Sequence, residues 1–367
     1  AAISRVHDLI TRGHTYQVNY SMPLKAQFEG DSLSWYRDLC VAQGAKYSVY
    51  LDLGRYKILS ISPELFFERK GDHVRTRPMK GTVRRGRWEE EDRELAQWLA
   101  GSEKDKAENV MIVDLLRNDL GKVSIPGSVK VPSLFQLERF ETVWQMTSTV
   151  EATLRPKTGL AELMGALFPC GSVTGAPKIR TMEIIRELEH HPRGTYTGTI
   201  GLLRPGGDCV FNVAIRTVIV DSNDGTATFG VGGGVTIDST AEREYDECVV
   251  KARFLKVVLR SFDLFESILL EDGEFFLLER HLERLESSAR FFGFEFSEAR
   301  VVAALNELKK KHADGKWKVK LILRKDGKVL TEVLEVGLAK EWRVGVAAQP
   351  VDSSERLLFH KTTSRDL

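Results

Sequence analysis

Lys80 stands in Arg77-Pro78-Met79-Lys80-Gly81-Thr82, after a glutamate-bearing stretch, Ser62-Pro63-Glu64-Leu65, and before an acidic stretch holding Asp105 and Glu108. An amine desolvated beside carboxylates is the usual recipe for a nucleophile with a lowered pKa. Lys80 is therefore a candidate for covalent chemistry. Further on, Glu244, Glu247 and Lys251 are spaced to share one face of a predicted helix, and Asp105 and Glu108 share a face in the same way. Two helices that each offer a carboxylate pair suit one Mg2+, which takes a couple of carboxylates plus waters and an oxygen-rich substrate. Taken alone, these spacings read more simply as salt bridges along a solvated helix.

The glycines add to the metal reading. Phe229-Gly230-Val231-Gly232-Gly233-Gly234-Val235 precedes the Glu244 helix, and a bare backbone there is expected to form a loop whose N–H groups approach an anion. It lacks the Gly-x-Gly-x-x-Gly order of a dinucleotide site. Gly171-Ser172-Val173-Thr174-Gly175-Ala176-Pro177-Lys178 looks like a phosphate loop but lacks the Gly-Lys-Ser/Thr ending; its hydroxyls at a helix N-terminus suit a carboxylate instead. Arg216 is expected inside a strand, Phe211-Asn212-Val213-Ala214-Ile215-Arg216-Thr217, where a guanidinium among apolar neighbours needs either a substrate carboxylate or a structural ion pair. The distance between Glu64 and Lys80 depends on hairpin register. A two-residue Gly71-Asp72 loop puts Glu64 opposite Met79, and a three-residue loop ending at His73 puts it across from Lys80. Both registers remain open at this level.

The elements that must position these residues follow from periodicity. Residues 1–12 read as a helix, 15–21 and 46–61 as strands, and 64–77 as a hairpin. Helices are expected around 89–120, over 159–167, from Ala176-Pro177 to about residue 190, and over 241–259. Residues 133–150 are extended, and 196–235 read as strands broken by a loop at 203–208. Strand runs with clustered helices imply an α+β fold. A second unit is expected from residue 263: a hairpin turning at Asp272-Gly273, a helix over 279–292, another helix, and a strand pair near 317–336. Ala1 opens inside a helix and Leu367 ends inside a polar motif, so flanking residues are expected at both ends.

The chain has 367 residues, 42% hydrophobic and 29% charged, with net charge +1, which is room for two domains without the basic stripe of a nucleic-acid binder. No apolar run is long enough to cross a membrane. Cys40, Cys170, Cys209 and Cys248 lie far apart with no Cys-x-x-Cys pair. Reduced thiols in a cytoplasmic protein are expected, rather than a zinc site or a catalytic cysteine.

The ordered blocks from Gly13 to Lys251 closely resemble the chorismate-utilising enzymes. They include Tyr16-Gln17-Val18-Asn19, Pro78-Met79-Lys80-Gly81-Thr82, Ala107-Glu108-Asn109-Val110-Met111, Arg193-Gly194-Thr195-Tyr196, Ala214-Ile215-Arg216-Thr217 and Glu244-Tyr245-Asp246-Glu247. The resemblance implies an antiparallel β-sandwich core with helices. It also implies chorismate as substrate, Mg2+ held by Glu108 and Glu247 with Glu244 and Asp105 assisting, and substrate contacts from Arg216, Tyr196, Ser172, Gly232, Lys251 and Gln17. Anthranilate and isochorismate synthases carry alanine where this chain has Lys80, and that lysine marks the aminodeoxychorismate synthases, in which it adds at C2 while the glutamate matching Glu64 protonates the leaving hydroxyl. Water-using relatives carry a lysine where this chain has Gln17, so ammonia is the implied nucleophile, delivered by a glutamine amidotransferase partner. Some relatives have a histidine at the position of Gln145. The family's N-terminal sheet segment would lie before Ala1.

Residues 263–367 resemble the first part of a fold-type IV pyridoxal-phosphate enzyme of the aminodeoxychorismate lyase kind, through Phe265-Glu266-Ser267, His281-Leu282-Glu283-Arg284-Leu285, Phe292-Gly293-Phe294 and His360-Lys361-Thr362-Thr363-Ser364-Arg365. The resemblance implies Arg284 on the cofactor phosphate and Lys361 as the Schiff-base lysine. With the larger half of that fold beyond this chain, tight cofactor binding is not expected. The resulting expectation is a domain over 1–262 that aminates chorismate at C4 and a lyase-like domain over 263–367, which when complete gives 4-aminobenzoate and pyruvate for folate synthesis. The alternatives are an anthranilate synthase, against which Lys80 speaks, and a class IV aminotransferase with a non-catalytic front half, against which the carboxylate set speaks.

Overall fold

The computed structural model describes residues 2–256, 261–337, 345, 350–353 and 355–364. Alternating apolar residues build strands where the pattern has period two, and amphipathic runs build helices. In chain order the first elements are α1 (Ala2–Thr11), β1 (Gln17–Gln27), α2 (Ser32–Gln43), β2 (Tyr47–Leu53), β3 (Tyr56–Ser62), β4 (Leu65–Lys70), β5 (His73–Arg77) and β6 (Met79–Arg84). Next come α3 (Glu89–Gly101), α4 (Glu103–Gly121), β7 (Lys130–Arg139), β8 (Val143–Thr153), α5 (Leu160–Leu167), β9 (Gly175–Ala176) and α6 (Lys178–Leu188). Four strands, β10 (Thr199–Leu203), β11 (Cys209–Val213), β12 (Thr217–Asp221) and β13 (Thr226–Val235), lead into α7 (Ala241–Ala252). The last part holds β14 (Leu264–Glu271), β15 (Glu274–Phe275), α8 (Leu278–Phe292), α9 (Glu298–Lys311), β16 (Lys316–Leu323) and β17 (Val329–Glu335).

The chain divides into two units, residues 1–84 with 96–259, and residues 85–95 with 260–367. The first holds two antiparallel sheets, ordered β2-β3-β12-β13-β1-β9 and β10-β11-β4-β5-β8-β6, with β7 added on β8. Helices α4 and α5 cover the second sheet through Ile112, Leu116, Leu120, Leu163 and Leu167, against Phe66, Phe67 and Val150. Helices α1 and α6 pack on the β1–β13 pair through Val6, Leu9, Ile184 and Ile185. Where the chain crosses between sheets, several buried polar side chains pair across the seam. Ser62 Oγ donates to Val213 O at 2.6 Å, Asn212 Nδ2 donates to Tyr47 O at 2.8 Å, and the Thr217 and Ser60 hydroxyls meet at 2.9 Å. This seam fixes the two segments that carry Glu64 and Arg216. The α+β class with an antiparallel core agrees with the expectation.

Three local expectations change. Helix α7 ends at Ala252 and a 3-10 turn, Arg253–Lys256, follows it, while residues 257–260 lie outside the described residues. For the glycine-rich segment the strand reading of 196–235 holds and the loop reading does not: it is part of strand β13, paired with β1 from Val18↔Val235 to Gln27↔Thr226. Arg216 is not inside a strand. It sits between β11 and β12 with φ 49°, a left-handed conformation at the point where the chain passes from one sheet to the other. The second unit is a four-stranded sheet, β15-β14-β16-β17, with α8 and α9 packed through Leu285, Ala289, Val301 and Leu305. Residues 85–95 belong to this unit, which the sequence pattern did not foresee.

Candidate active site

Strand register answers the Glu64–Lys80 question. The hairpin uses the two-residue Gly71-Asp72 loop, with Lys70↔His73 and Glu68↔Arg75, and an irregularity then brings Leu65 opposite Arg77. β5 already pairs with β8 on its other side, Thr76↔Val150, and after Pro78 the chain leaves β4 and continues along β8, Met79↔Thr147. Lys80 therefore reaches Glu64 from a different strand pair, not as its cross-strand partner. Gly81, with φ 92°, allows this turn and a close approach to Asp105, whose Cβ lies 3.0 Å from where a methyl group on Gly81 would sit. Asn109 Nδ2 approaches Lys80 O at 3.4 Å while its Oδ1 accepts from Ser148 Oγ at 2.6 Å. Gln145 Nε2 donates to Gly81 O at 2.8 Å and its Oε1 accepts from Thr82 Oγ1 at 2.9 Å. The carbonyls of Lys80 and Gly81 are thus held by buried amides.

The glycines of β13 form the floor of the site because side chains from other elements lie directly on them. The ring of Tyr196 covers Gly230, and Tyr20 and Ser21 of β1 press on Gly232. A methyl group on Gly233 would sit 2.6 Å from Glu244 Oε2 and 3.9 Å from Glu247 Oε1. One on Gly234 would overlap the Gln17 amide and lie 3.2 Å from Lys80 Nζ. The glycines therefore serve close approach of side chains. In place of the expected nest of N–H donors there is a carbonyl, Gly232 O, which accepts from Lys251 Nζ at 2.8 Å.

The charges respond to this crowding. Lys80 keeps some exposure as a residue, but its amine end lies deep. Burial lowers its pKa, with Lys251 adding to the effect while Glu108, Glu64 and Glu247 oppose it. Glu64 is 3% exposed, and burial raises its carboxyl from 4.5 to about 7 against the opposing pull of the Ser172 hydroxyl, Lys80 and the Met79 N–H. Burial raises Glu108 as well. Glu247 is pushed up by burial but ends below its usual value, because Lys251 (2.6 Å away) and Lys80 outweigh that push. Burial raises Tyr196, so the phenol stays neutral. Burial lowers Arg216 to about 10; its partner is the Gln43 amide oxygen, and no ion pair to it occurs among the described residues. Burial first, then Glu64, pushes the Cys170 thiol up to about 12, which removes it as a nucleophile.

The sequence-predicted residues Lys80, Glu64, Gln17, Ser172, Glu108, Glu244, Glu247, Lys251 and Gly232 thus surround one end of β13. Asp105 lies beneath Gly81 and accepts from the Ser102 hydroxyl that caps α4, a structural role the spacing argument did not anticipate. Lys178 turns away to Asp119 at 2.5 Å, so the phosphate-loop resemblance has no counterpart here. Asn109, Gln43 and the pair Arg193–Glu189 are contributors the sequence reasoning did not single out. Arg193 donates to Val173 O and Asn19 O at 2.8 and 2.6 Å, and Glu189 Oε1 accepts from Ser21. The available signal was a carboxamide on a core-facing position of α4, one turn before Ile112 and Val113.

Among the described residues no group of three His, Cys, Asp or Glu gathers closely enough to hold a metal by itself. The fit to Mg2+ rests on fewer groups. Glu244 Oε2 is buried without a partner, Glu247 and Glu108 act on each other's charge, and the Lys251 ammonium already places positive charge on Glu247. Two protein carboxylates completed by waters and substrate match this cation. In the second unit, Arg284 donates to both oxygens of buried Glu266 at 2.7 and 2.5 Å, His281 Nδ1 lies 2.8 Å away, and Lys361 Nζ 3.6 Å. Arg284 and Lys361, the two residues implied for pyridoxal phosphate, are thereby gathered on one carboxylate, which fits a ligand carrying both an aldehyde and a phosphate.

Comparison with known proteins follows this geometry. Residues 1–257 match the chorismate binding enzymes and residues 263–355 match the amino-transferases of class IV. Aminodeoxychorismate synthase component 1 of Salmonella typhimurium is 46% identical over 235 residues, covering 64% of this chain and 51% of that protein. The Escherichia coli protein of the same name is 42% identical over 253 residues, covering 69% and 55%. Anthranilate synthase component 1 of Aquifex aeolicus is 37% identical, covering 69% and 51%. The chain thus spans about half the length of these relatives. The crystal structure of anthranilate synthase component I from Streptococcus pneumoniae superposes with TM-score 0.64 at 37% identity, covering 69% of this chain and 56% of that one. With its match running through every element that builds the site, the chain belongs to the family of chorismate binding enzymes.

Proposed function

We propose that residues 1–262 aminate chorismate at C4 to give 4-amino-4-deoxychorismate, with ammonia from a glutamine amidotransferase partner, and that residues 263–367 form the first part of a lyase-like domain. The observation that carries the reading is the pair Lys80 and Glu64, whose pKa values are moved toward each other by burial. A lowered amine is available as a nucleophile, and a carboxyl at about 7 keeps a proton to give at neutral pH. Lys80 Nζ adds at C2 as both ring double bonds shift, and Glu64 delivers its proton to the departing C4 hydroxyl, which leaves as water. Ammonia then bonds to C4, both double bonds shift back, and Lys80 leaves C2 with its electron pair, while the ammonium formed at C4 gives up a proton that restores Glu64. Gln17 lines the same pocket and, lacking a basic nitrogen, does not activate water in competition. Arg216, Tyr196, Ser172 and Lys251, with Gly232, orient the substrate carboxylates and ring. Glu108 and Glu247, with Glu244 and Asp105 behind them, would hold Mg2+, which when bound neutralises the ring carboxylate.

In the C-terminal domain Lys361 and Arg284 would hold pyridoxal phosphate, which supplies the electron sink for carbon–carbon cleavage to 4-aminobenzoate and pyruvate. The four free cysteines suit a cytoplasmic setting, and no described helix is long and apolar enough to cross a membrane. The test is to supply chorismate, Mg2+ and ammonium and identify the ring isomer formed. A C4-aminated product supports the reading; anthranilate with pyruvate release replaces it with the anthranilate synthase alternative.

A further inference from the structure

His360 precedes Lys361 and is held from every side within the C-terminal unit. Its Nε2 lies 2.9 Å from Arg87 O, and since a carbonyl only accepts, Nε2 carries the hydrogen. Nδ1 then accepts from the buried Ser288 hydroxyl at 2.9 Å. The ring stacks on Phe291 at 4.6 Å and meets Phe292 edge-on at 4.6 Å. The backbone after it is pinned to β14, with Phe265 N donating to Lys361 O at 2.9 Å and Thr363 N to Asp263 O at 2.8 Å. The acceptor, residue 87, lies 273 positions earlier in the chain. Its segment is firmly built into this unit. Glu89 accepts from Arg290 at 2.8 Å and Ser287 at 3.1 Å, Trp88 meets Phe359 at 5.0 Å, and Arg85 lies over Phe291 at 5.1 Å.

We propose that His360 is a positioning residue that aims the Lys361 amine at Glu266 by anchoring its backbone to the carbonyl of Arg87, so that residues 85–95, from the front of the sequence, are a working part of the C-terminal site. The inference rests on the proposed role of Lys361 as the cofactor lysine, but the placement it describes can be measured without cofactor. Burial also disfavours a charged imidazole, consistent with one donor and one acceptor nitrogen.

The test uses the full chain and competitive acetylation, reading the labelling rate of Lys361 by peptide mass spectrometry with the surface Lys309 as internal reference. His360→Phe keeps the ring stacking and removes both hydrogen bonds, so Lys361 should label about five-fold faster, and His360→Gln, which keeps a donor, should return the rate to within about twofold of the parent. Equal rates in parent, Phe and Gln variants overturn the proposal. If the Phe variant does not fold, Ser288→Ala, which removes the second hydrogen bond, is read in the same assay, and an unchanged rate there is equally fatal. Trapping with pyridoxal phosphate and borohydride separates the two readings. A parent protein unlabelled at Lys361 strikes the cofactor assignment, whereas acetylation alone decides the positioning.

Discussion

Lys80 in the first unit and Lys361 in the second both face carboxylates, but the arrangement differs. Lys80 feels Glu108, Glu64 and Glu247, which come from three separate elements, and burial outweighs all of them. Lys361 shares the carboxylate of Glu266 with Arg284 and His281, and its side chain keeps 29% exposure. Burial disfavours the Lys80 ammonium even though three carboxylates pull the other way, so the amine can give up its proton. At Glu266 the balance differs, with the cations Arg284 and Lys361 around one carboxylate. They stabilise the buried Glu266 and hold the amine in place until another ligand competes for it. The lesson is that a lysine near a glutamate says little until the count of charges on each side is known.

The sharpest break of this comparison is Lys80→Ala, which should lower kcat/KM for chorismate amination by about 10³-fold or more while the fold, read by circular dichroism, stays intact. Full activity in a steady-state assay would remove Lys80 from the chemistry. The next effects are about 100-fold. Glu108→Gln and Glu247→Gln should each weaken Mg2+-dependent turnover by that order, and coincident Mg2+ titration curves for both variants and the parent would sink the metal assignment. Glu64→Gln should cost a similar factor of about 10² by removing the proton donor. Because the Glu64 carboxyl titrates at about 7, the parent should lose activity as the pH rises through that value, and the variant should lack this alkaline limb. The same raised pKa contributes stability that is fully present below the unfolded value of 4.5 and is lost as the pH rises through about 7. Gly234→Ala presses on Gln17 and Lys80 and should reduce turnover about tenfold with unchanged product; a silent substitution would mean the floor of the site has slack. Smallest of all, Lys361→Ala should leave amination within about twofold of the parent, as independent sites do. A large loss would show that the two lysines do not serve separate chemistry.

Much of the fold was legible because periodicity and punctuation are local. The Gly71-Asp72 turn, the cap of α4 and the long run of α8 need only neighbours in sequence. Misreadings arose where a residue's state depends on distant contacts. Bare glycines at 232–234 suggested a loop, and only β1 lying across them made a strand. Arg216 looked like a strand residue because its neighbours are apolar, but the crossing between sheets holds it in the left-handed region. The approach of Asp105 to Gly81 likewise comes from packing that its spacing did not show.

What the sequence determined by itself is the chemical inventory: a lysine at position 80, a glutamine at position 17, and carboxylates in pairs at spacings that share a helix face. Such choices are encoded one residue at a time and survive without a fold. Tertiary structure alone decided which of those groups meet, which are dry, and which already have partners. It turned the chain away from its hairpin at Pro78 so that Lys80 reaches Glu64 from another strand pair, and it joined residues 85–95 to a unit that begins 165 positions after that segment ends. The physical reason is that desolvation and charge pairing depend on what surrounds an atom in space, and those surroundings are assembled from segments far apart along the chain.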